Sequence, residues 1–357
     1  MAHLDAVERP ASLTEPVVRT KGGTAHGFFE VTEDISQLCR ADFLQSGTRT
    51  PAFVRFSTVA GALRSADTVR DPRGFTVRFV TRQGNYDLVG NSTPVFYIDD
   101  PRKVVDFVRS RRTRTADNNT RWDFWTSYPE SAHQVTILMT DRGIPRAWAN
   151  MNGYSGRACL WENPSGLKFW VKYHWKTAQG IANLADADAK AMAVEEPDFH
   201  VRGLRTAIGR REDPAWRLET QIMPFEEAAN YRFNPFDLTK VWPHEDYPPI
   251  TIGRLVLNRN PENPLSEVAL EPVNAVPGID PAPASLGGPY AHRHDDDFVQ
   301  PGALYRNVLS ETDRDHLVTN IANHLRDGVR SDVLVRALAY WSTVDVDLGA
   351  RVARAVL

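Results

Sequence analysis

Arg55, Ser57 and Asn91 are polar side chains that a strand built only for structure does not need. Arg55 and Ser57 stand at i and i+2 in PAFVRFSTVAG, so a strand there puts both on one face, and Asn91 follows Gly90 in DLVGNSTP. A fixed cation, a hydroxyl and an amide on one surface can hold and orient a polar or anionic oxygen of a small molecule. On spacing alone Asn91 suits turn capping after Gly90 better than a role in a site. Other candidates are weaker. His292 and His294 form an HxH that can bind a metal, but beside three aspartates the same residues describe a solvated loop. Cys39 and Cys159 are too few for a disulfide framework and match no metal-ligand spacing.

The elements that must position these groups are strands. Phe53, Arg55 and Ser57 alternate with Val54, Phe56 and Thr58. Phe75, Val77 and Phe79 alternate with Thr76, Arg78 and Val80, and Gln83-Gly84-Asn85 marks a turn between apolar runs. Residues 51–101 thus read as three or four strands of a barrel wall. Val17 to Thr32 reads as a strand, a bend at Gly22-Gly23 and a second strand. Lys103 to Arg111 reads as a helix with Asp99 and Asp100 ahead of it. Strands are expected at Gln134–Met139 and Phe169–Trp175, helices between Ala185 and Trp216, and the last barrel strand at Leu218–Met223. The proline density from Asn234 to Asp280 predicts an extended wrapping segment instead of regular structure. From Ala303 the apolar period becomes helical, with Ser310 placed as an N-cap before Glu311 and Asp313.

Composition narrows the class. With 357 residues, 42% of them hydrophobic, the chain can bury a large core, and its net charge of −3 argues against nucleic acid as a partner. The cationic run Arg109–Arg114 reads as a solvated helix end. The first sixteen residues hold no apolar stretch of signal-peptide length, and no run is long enough to span a membrane, so a cytoplasmic protein is expected.

RFSTV, RDPRGF, DLVGNSTPVF and the following DP resemble the signature of haem-dependent catalases. The resemblance continues through WDFW, PES, HQVT, DRGIP, KFWVKYHWKTAQGI and NPFDLTKVWPHEDYP, over nearly the whole chain. It implies an α+β protein: an antiparallel eight-stranded β-barrel with a wrapping segment and a C-terminal helical domain. The expected divisions are 1–16 for a short N-terminal arm, 17–233 for the barrel with inserted helices, 234–302 for the wrapping segment and 303–357 for the helices. The arm is shorter than the family's, which wraps a neighbouring subunit, so a homo-oligomer smaller than a tetramer is expected.

The resemblance also assigns a site. Asn91 matches the amide that orients peroxide above haem, Ser57 the serine that supports the base there, and Arg55 a propionate partner. Val59 and Phe96 fall at haem-contacting positions. Other positions depart from the pattern. Where the family carries its proton-shuttling His, in VVHAKG, this chain has Arg19, a side chain that stays protonated and cannot act as a base. His26, nearby, reads as an ordinary strand residue. The helix that supplies the family's iron-binding Tyr is largely deleted. Tyr290, with Arg293 beyond it, is the remnant candidate for iron and cofactor, in a stretch where Gly287-Gly288-Pro289 opposes a helix. A second propionate Arg falls at Pro16. A haem-facing Phe falls at Val104, which widens the pocket, and Asn150 replaces a His found in members that bind NADPH. His174 matches a structural position.

Three functions remain open at this point. One is a haem enzyme diverted from peroxide dismutation to a specialised oxidation, biosynthetic or otherwise, of a small organic molecule, with Arg19, Ser57 and Asn91 in the site. Another is a catalase fold without haem, either a cofactor-free enzyme or a binding scaffold. The third is a low-activity catalase or peroxidase. Visible absorption by haem separates the first from the second.

Overall fold

The structure, a computed structural model, describes residues 21–59, 65–112, 117–262, 276–280 and 297–357. Eight strands close on one another. They are β1 (Gly22–Val31), β2 (Arg49–Thr58), β3 (Arg73–Thr81), β4 (Gly84–Asn91), β5 (Gly153–Ser155), β7 (Lys168–Thr177), β8 (Ala215–Pro224) and β9 (Ile250–Arg259), paired in the order β1-β2-β3-β4-β5-β7-β8-β9 and back to β1. Every pairing is antiparallel. The short β6 (Cys159–Glu162) shares one edge of β7 with β5, and β10 (Ile279–Asp280) pairs with β6. Closure leaves these eight strands without the row of unpaired backbone groups that an open edge exposes.

Alternation decides which side chains go inside. Val54, Phe56, Phe75, Val77, Tyr86, Leu88, Trp175, Trp216 and Leu255 come from six strands yet meet in one core cluster, so they line the interior. The filling is aromatic: Phe56 stacks on Trp148 at 5.3 Å, and Phe75 lies 5.3 Å from Trp216 and 6.1 Å from Trp175. Cys39 and Cys159 are thiols outside any disulfide, buried in the same core, and burial pushes them up to about 12 and about 11.

Outside the barrel, α1 (Val104–Arg112), α2 (Asn118–Ser127) and α3 (Ala132–Met139) pack with α7 (Glu311–Arg326), α8 (Ser331–Val344) and α9 (Val346–Val356) around a second core that includes Trp122, Trp125 and Trp341. Between β7 and β8 lie α4 (Asp186–Glu195) and α5 (Phe199–Gly209), and α6 (Val299–Ala303) precedes a π-helical turn at Leu304–Val308. Ser310 caps α7 in a full capping box with Asp313. No described helix is long and apolar enough to cross a membrane.

Four local expectations are corrected. HQVTILM, read as a strand, is helix α3: every residue from Ala132 to Met139 is buried, and a short run buried on all sides carries no period to separate helix from strand. The last barrel strand is β9, not β8, and it comes from the stretch expected to be extended. Prolines 248, 249 and 261 flank β9 without entering it, so proline density masked a clean strand. β1 begins at Gly22, with Gly22 and Gly23 both already paired to β2, and its irregularity falls at His26/Gly27, where an added Cβ on Gly27 would meet the Val256 carbonyl oxygen at 1.8 Å. Asp100 caps the turn before α1, whereas Asp99 accepts from the Leu238 backbone at 3.2 Å.

Candidate functional site

The strand register assembles the site. Ser57 lies opposite Gly74, and Gly74 lies opposite Asn91, so the three form one row across β2, β3 and β4. Gly22 extends the row on one side, Tyr154 and then His174 on the other. Two residues along each strand, a second row runs Thr24, Arg55, Thr76, Val89. These positions alternate with the interior residues, so both rows occupy the outer face of the barrel. Asn91 therefore does not face Ser57 across a cleft. It lies two strand spacings away, about 10 Å, on the same sheet.

Gly74, with no side chain and itself buried, sits between Ser57 and Asn91 in this row. Ser57 and Asn91 are 1% and 6% exposed, while Val89 in the adjoining row is 44% exposed. This part of the sheet is well held. Ser92 accepts from the Arg73 amide at 3.0 Å and donates its own amide to the Arg73 carbonyl at 2.7 Å, which fixes the ends of β3 and β4 beside Asn91. The Arg73 guanidinium donates to the carbonyls of Asp67 at 3.1 Å and Val69 at 2.6 Å, and its full burial lowers it to about 10. Asp71 accepts from the Val59 amide at 2.6 Å, so Val59 is fastened just beyond the strand carrying Ser57.

A third row, His26, Phe53, Arg78, Asp87, bounds the site. Its Arg78–Asp87 pair is bidentate at 2.7 Å for both bonds and nearly buried, so these charges neutralise each other. His26 lies against Phe53, ring centroids 5.0 Å apart. At the far end of the first row, His174 packs edge-on against Tyr154 at 5.2 Å. Burial, reinforced by the positive charge of Lys176, lowers His174 to about 3, so it is a neutral imidazole of low basicity.

The structure thus brings Arg55, Ser57 and Asn91 onto one surface. Val59 and Phe96 belong to the adjoining helical core, where Phe96 meets Phe107 at 5.3 Å and its amide donates to the Leu238 carbonyl at 2.8 Å. Val104, at the start of α1, packs against that core as well. Arg19, Tyr290, Arg293, His292 and His294 lie outside the described residues. Sequence reasoning missed Thr24 and Gly74. Only the pairing partners, which a linear pattern does not give, reveal them.

The comparisons bear on what such a face holds. The Catalase family model matches residues 4–287, and the Catalase-related immune-responsive model matches 291–356. The chain belongs to the catalase family. It is 40% identical to the bromoperoxidase-catalase of Streptomyces venezuelae, an alignment covering 100% of this chain and 91% of that one. It is 47% identical to the catalase of Ascaris suum over 88% of this chain and 61% of that one. Among solved structures, a bacterial catalase superimposes with a TM-score of 0.90 at 35% identity, covering 99% of this chain and 88% of that one. Catalase A from Saccharomyces cerevisiae gives 0.89 at 30%, covering 100% and 91%.

The family is generally haem-dependent, and the described face suits one side of a flat macrocycle. On it Val89 offers exposed apolar surface, Arg55 supplies a permanent cation, and the Thr24 hydroxyl is buried without a hydrogen-bond partner. Among the described residues no cluster of three or more His, Cys, Asp or Glu could hold a metal ion by itself. The sequence's candidate for an iron ligand, Tyr290, lies outside the described residues.

Proposed function

We propose that this catalase-family protein is a haem-dependent oxidoreductase that uses peroxide mainly to oxidise a small organic molecule, with dismutation reduced to a side reaction. The observation that carries the reading is the buried row of Ser57, Gly74 and Asn91 beside Arg55, polar side chains that the strand register brings to one outer face of the barrel.

Haem would lie against this face, with Arg55 paired to its carboxylates, Tyr290 as iron ligand and Arg293 beside it, and when bound it would supply the centre at which peroxide is activated. The Asn91 amide donates to a peroxide oxygen and fixes its orientation. Arg19, which the resemblance aligns with the family's base, would be a permanent positive donor that stabilises charge on the departing oxygen. It cannot accept the proton that must pass from one peroxide oxygen to the other, so the step needing a base above the metal is slowed. His174 does not replace that base, being two strand positions beyond Asn91 and of low basicity. Dismutation needs that transfer and then requires a second peroxide to surrender two protons, whereas oxidation of an organic reductant shares only the first step, so dismutation suffers more from this loss.

The protein reconstituted with haem is expected to show a Soret band. It is expected to oxidise a phenolic reductant with peroxide faster than it evolves oxygen from peroxide alone. Vigorous oxygen evolution would instead support an ordinary catalase, a reading favoured by the 40% identity across the whole chain to a bromoperoxidase-catalase and by 41% identity to a Streptomyces coelicolor catalase. Absence of a Soret band would support the haem-free fold.

A further inference from the structure

A groove of about 470 Å³ opens between α4 and the backbone around Arg146, lined among others by Arg146, Leu184, Asp188, Ala191, Met192 and Glu195. Both walls are fixed. On one, the Arg146 amide donates to the Ala182 carbonyl at 2.8 Å and the Leu184 amide to the Ile144 carbonyl at 2.9 Å, flanking an antiparallel bridge between Pro145 and Asn183. On the other, α4 buries Ala189, whose carbonyl accepts from the Thr68 hydroxyl at 3.1 Å. Asp188, Ala191, Met192 and Glu195 stand at i, i+3, i+4 and i+7, so the groove is met by a single stripe of the helix.

The acids on that stripe differ from their neighbours. Asp186 pairs with Arg70 at 2.7 Å and with Lys190 at 3.9 Å, and Glu196 pairs with Arg202. Among the described residues, the exposed side chains of Asp188, Glu195 and, across the groove, Arg146 form no ion pair or hydrogen bond. One cation thus faces two anions that a seven-residue rise sets about 10 Å apart along the helix, with Ala191 and Met192 between them. A complementary ligand carries a carboxylate for Arg146, two cationic groups for the acids, and an aliphatic chain to lie on Ala191 and Met192. A free basic amino acid has all of these, and its single excess positive charge matches the single excess negative charge of the three side chains.

We infer that this groove binds a free basic amino acid, lysine or arginine. The α-carboxylate rests on Arg146, and the α-ammonium and the side-chain cation are divided between Asp188 and Glu195. The site shares no residue with the Ser57–Gly74–Asn91 row and does not depend on the haem reading.

Isothermal titration calorimetry of the full chain with L-lysine at low salt tests the site. Saturable binding is expected in the wild type. It is expected to weaken about tenfold in Arg146→Gln and in Glu195→Gln, the worth of one charge-assisted hydrogen bond at a partly open site, and to weaken further with added salt. Glu196→Gln alters an acid off the stripe and is expected to bind as the wild type does. Cadaverine, which is lysine without its carboxylate, is expected to bind Arg146→Gln at least as well as the wild type. No saturable heat with L-lysine or L-arginine would overturn the site. So would equal lysine affinity in the wild type, Arg146→Gln and Glu195→Gln, an equal loss in Glu196→Gln, or a loss of cadaverine binding in Arg146→Gln that matches the loss of lysine. Should a variant fail to fold by circular dichroism, L-norleucine, which lacks the side-chain ammonium, decides in the wild type alone: clearly weaker binding than L-lysine supports the site, and equal binding rejects it.

Discussion

The two faces of β2, β3 and β4 share one backbone and differ in everything else. Inward, Val54, Phe56, Phe75, Val77, Tyr86 and Leu88 are at most 3% exposed and make the barrel's core. Outward, the same strands carry Arg55, Ser57, Gly74, Thr76, Val89 and Asn91, a set in which polar side chains predominate. Because side chains alternate with a period of two, a one-residue slip would exchange the faces. The apolar face therefore fixes the register that places Ser57 and Asn91 either side of Gly74. The interior supplies stability, and the outer face is free to carry chemistry.

The largest effect that sharpens this contrast belongs to the interior. Phe56→Ala removes a fully buried ring that meets Phe75 at 4.8 Å, Trp148 and Trp216, and should lower unfolding free energy by about 3–5 kcal/mol in urea denaturation. A loss below about 1 kcal/mol would mean that the barrel core is not what holds the face in register.

Acid should act next, also through buried groups. Burial lowers His133 to about 4, and His174 and His200 to about 3, with Lys240, Lys176 and Arg73 respectively adding repulsion. Each is neutral when folded and takes up a proton near pH 6.5 when unfolded, so the unfolded state binds more protons between those limits. Stability is therefore complete above about pH 6.5 and falls as pH drops towards 4. Between pH 7 and 5 a loss of a few kcal/mol is expected in urea midpoints. A flat profile over that range would show that these imidazoles do not stay neutral in the fold.

On the outer face the expected effects are on turnover. Asn91→Ala should cut peroxide-dependent oxidation about a hundredfold, the usual consequence of losing one oriented donor, with the urea midpoint nearly unchanged. Retained turnover would remove the amide from the mechanism, and loss of folding would assign Asn91 to structure.

How far the sequence anticipated this differs between the faces. Strand alternation made β2, β3 and the Gln83-Gly84-Asn85 turn legible, because each has one apolar side and one polar side. The same logic failed at Ala132–Met139, buried on every side, and at β9, whose alternation in ITIGRLVLNR was overshadowed by neighbouring prolines. The placement of Arg55 and Ser57 on one face followed from i, i+2 spacing. Thr24 and Gly74 did not follow from any spacing, since they join the site through register set by residues on other strands. The resemblance supplied Asn91's significance, and the structure supplied its neighbours.

The smallest expected effect is the most discriminating, because it concerns the residue next to Phe56. Ser57 is as buried as Phe56 but points outward, and Ser57→Ala deletes a single oxygen without opening a cavity of any size. Its stability cost should stay below about 1 kcal/mol. The effect on turnover should also be small, within about tenfold. The resemblance gives this serine the task of supporting a histidine base, and Arg19 needs no such support to remain a cationic donor. Paired with Phe56→Ala in the same urea and turnover assays, Ser57→Ala separates the faces one residue apart. If it proves as destabilising as its neighbour, the outer row is part of the barrel's packing. If instead it abolishes turnover while folding is kept, Ser57 takes a direct part in orienting peroxide, and the division of labour between Asn91 and Arg19 must be redrawn.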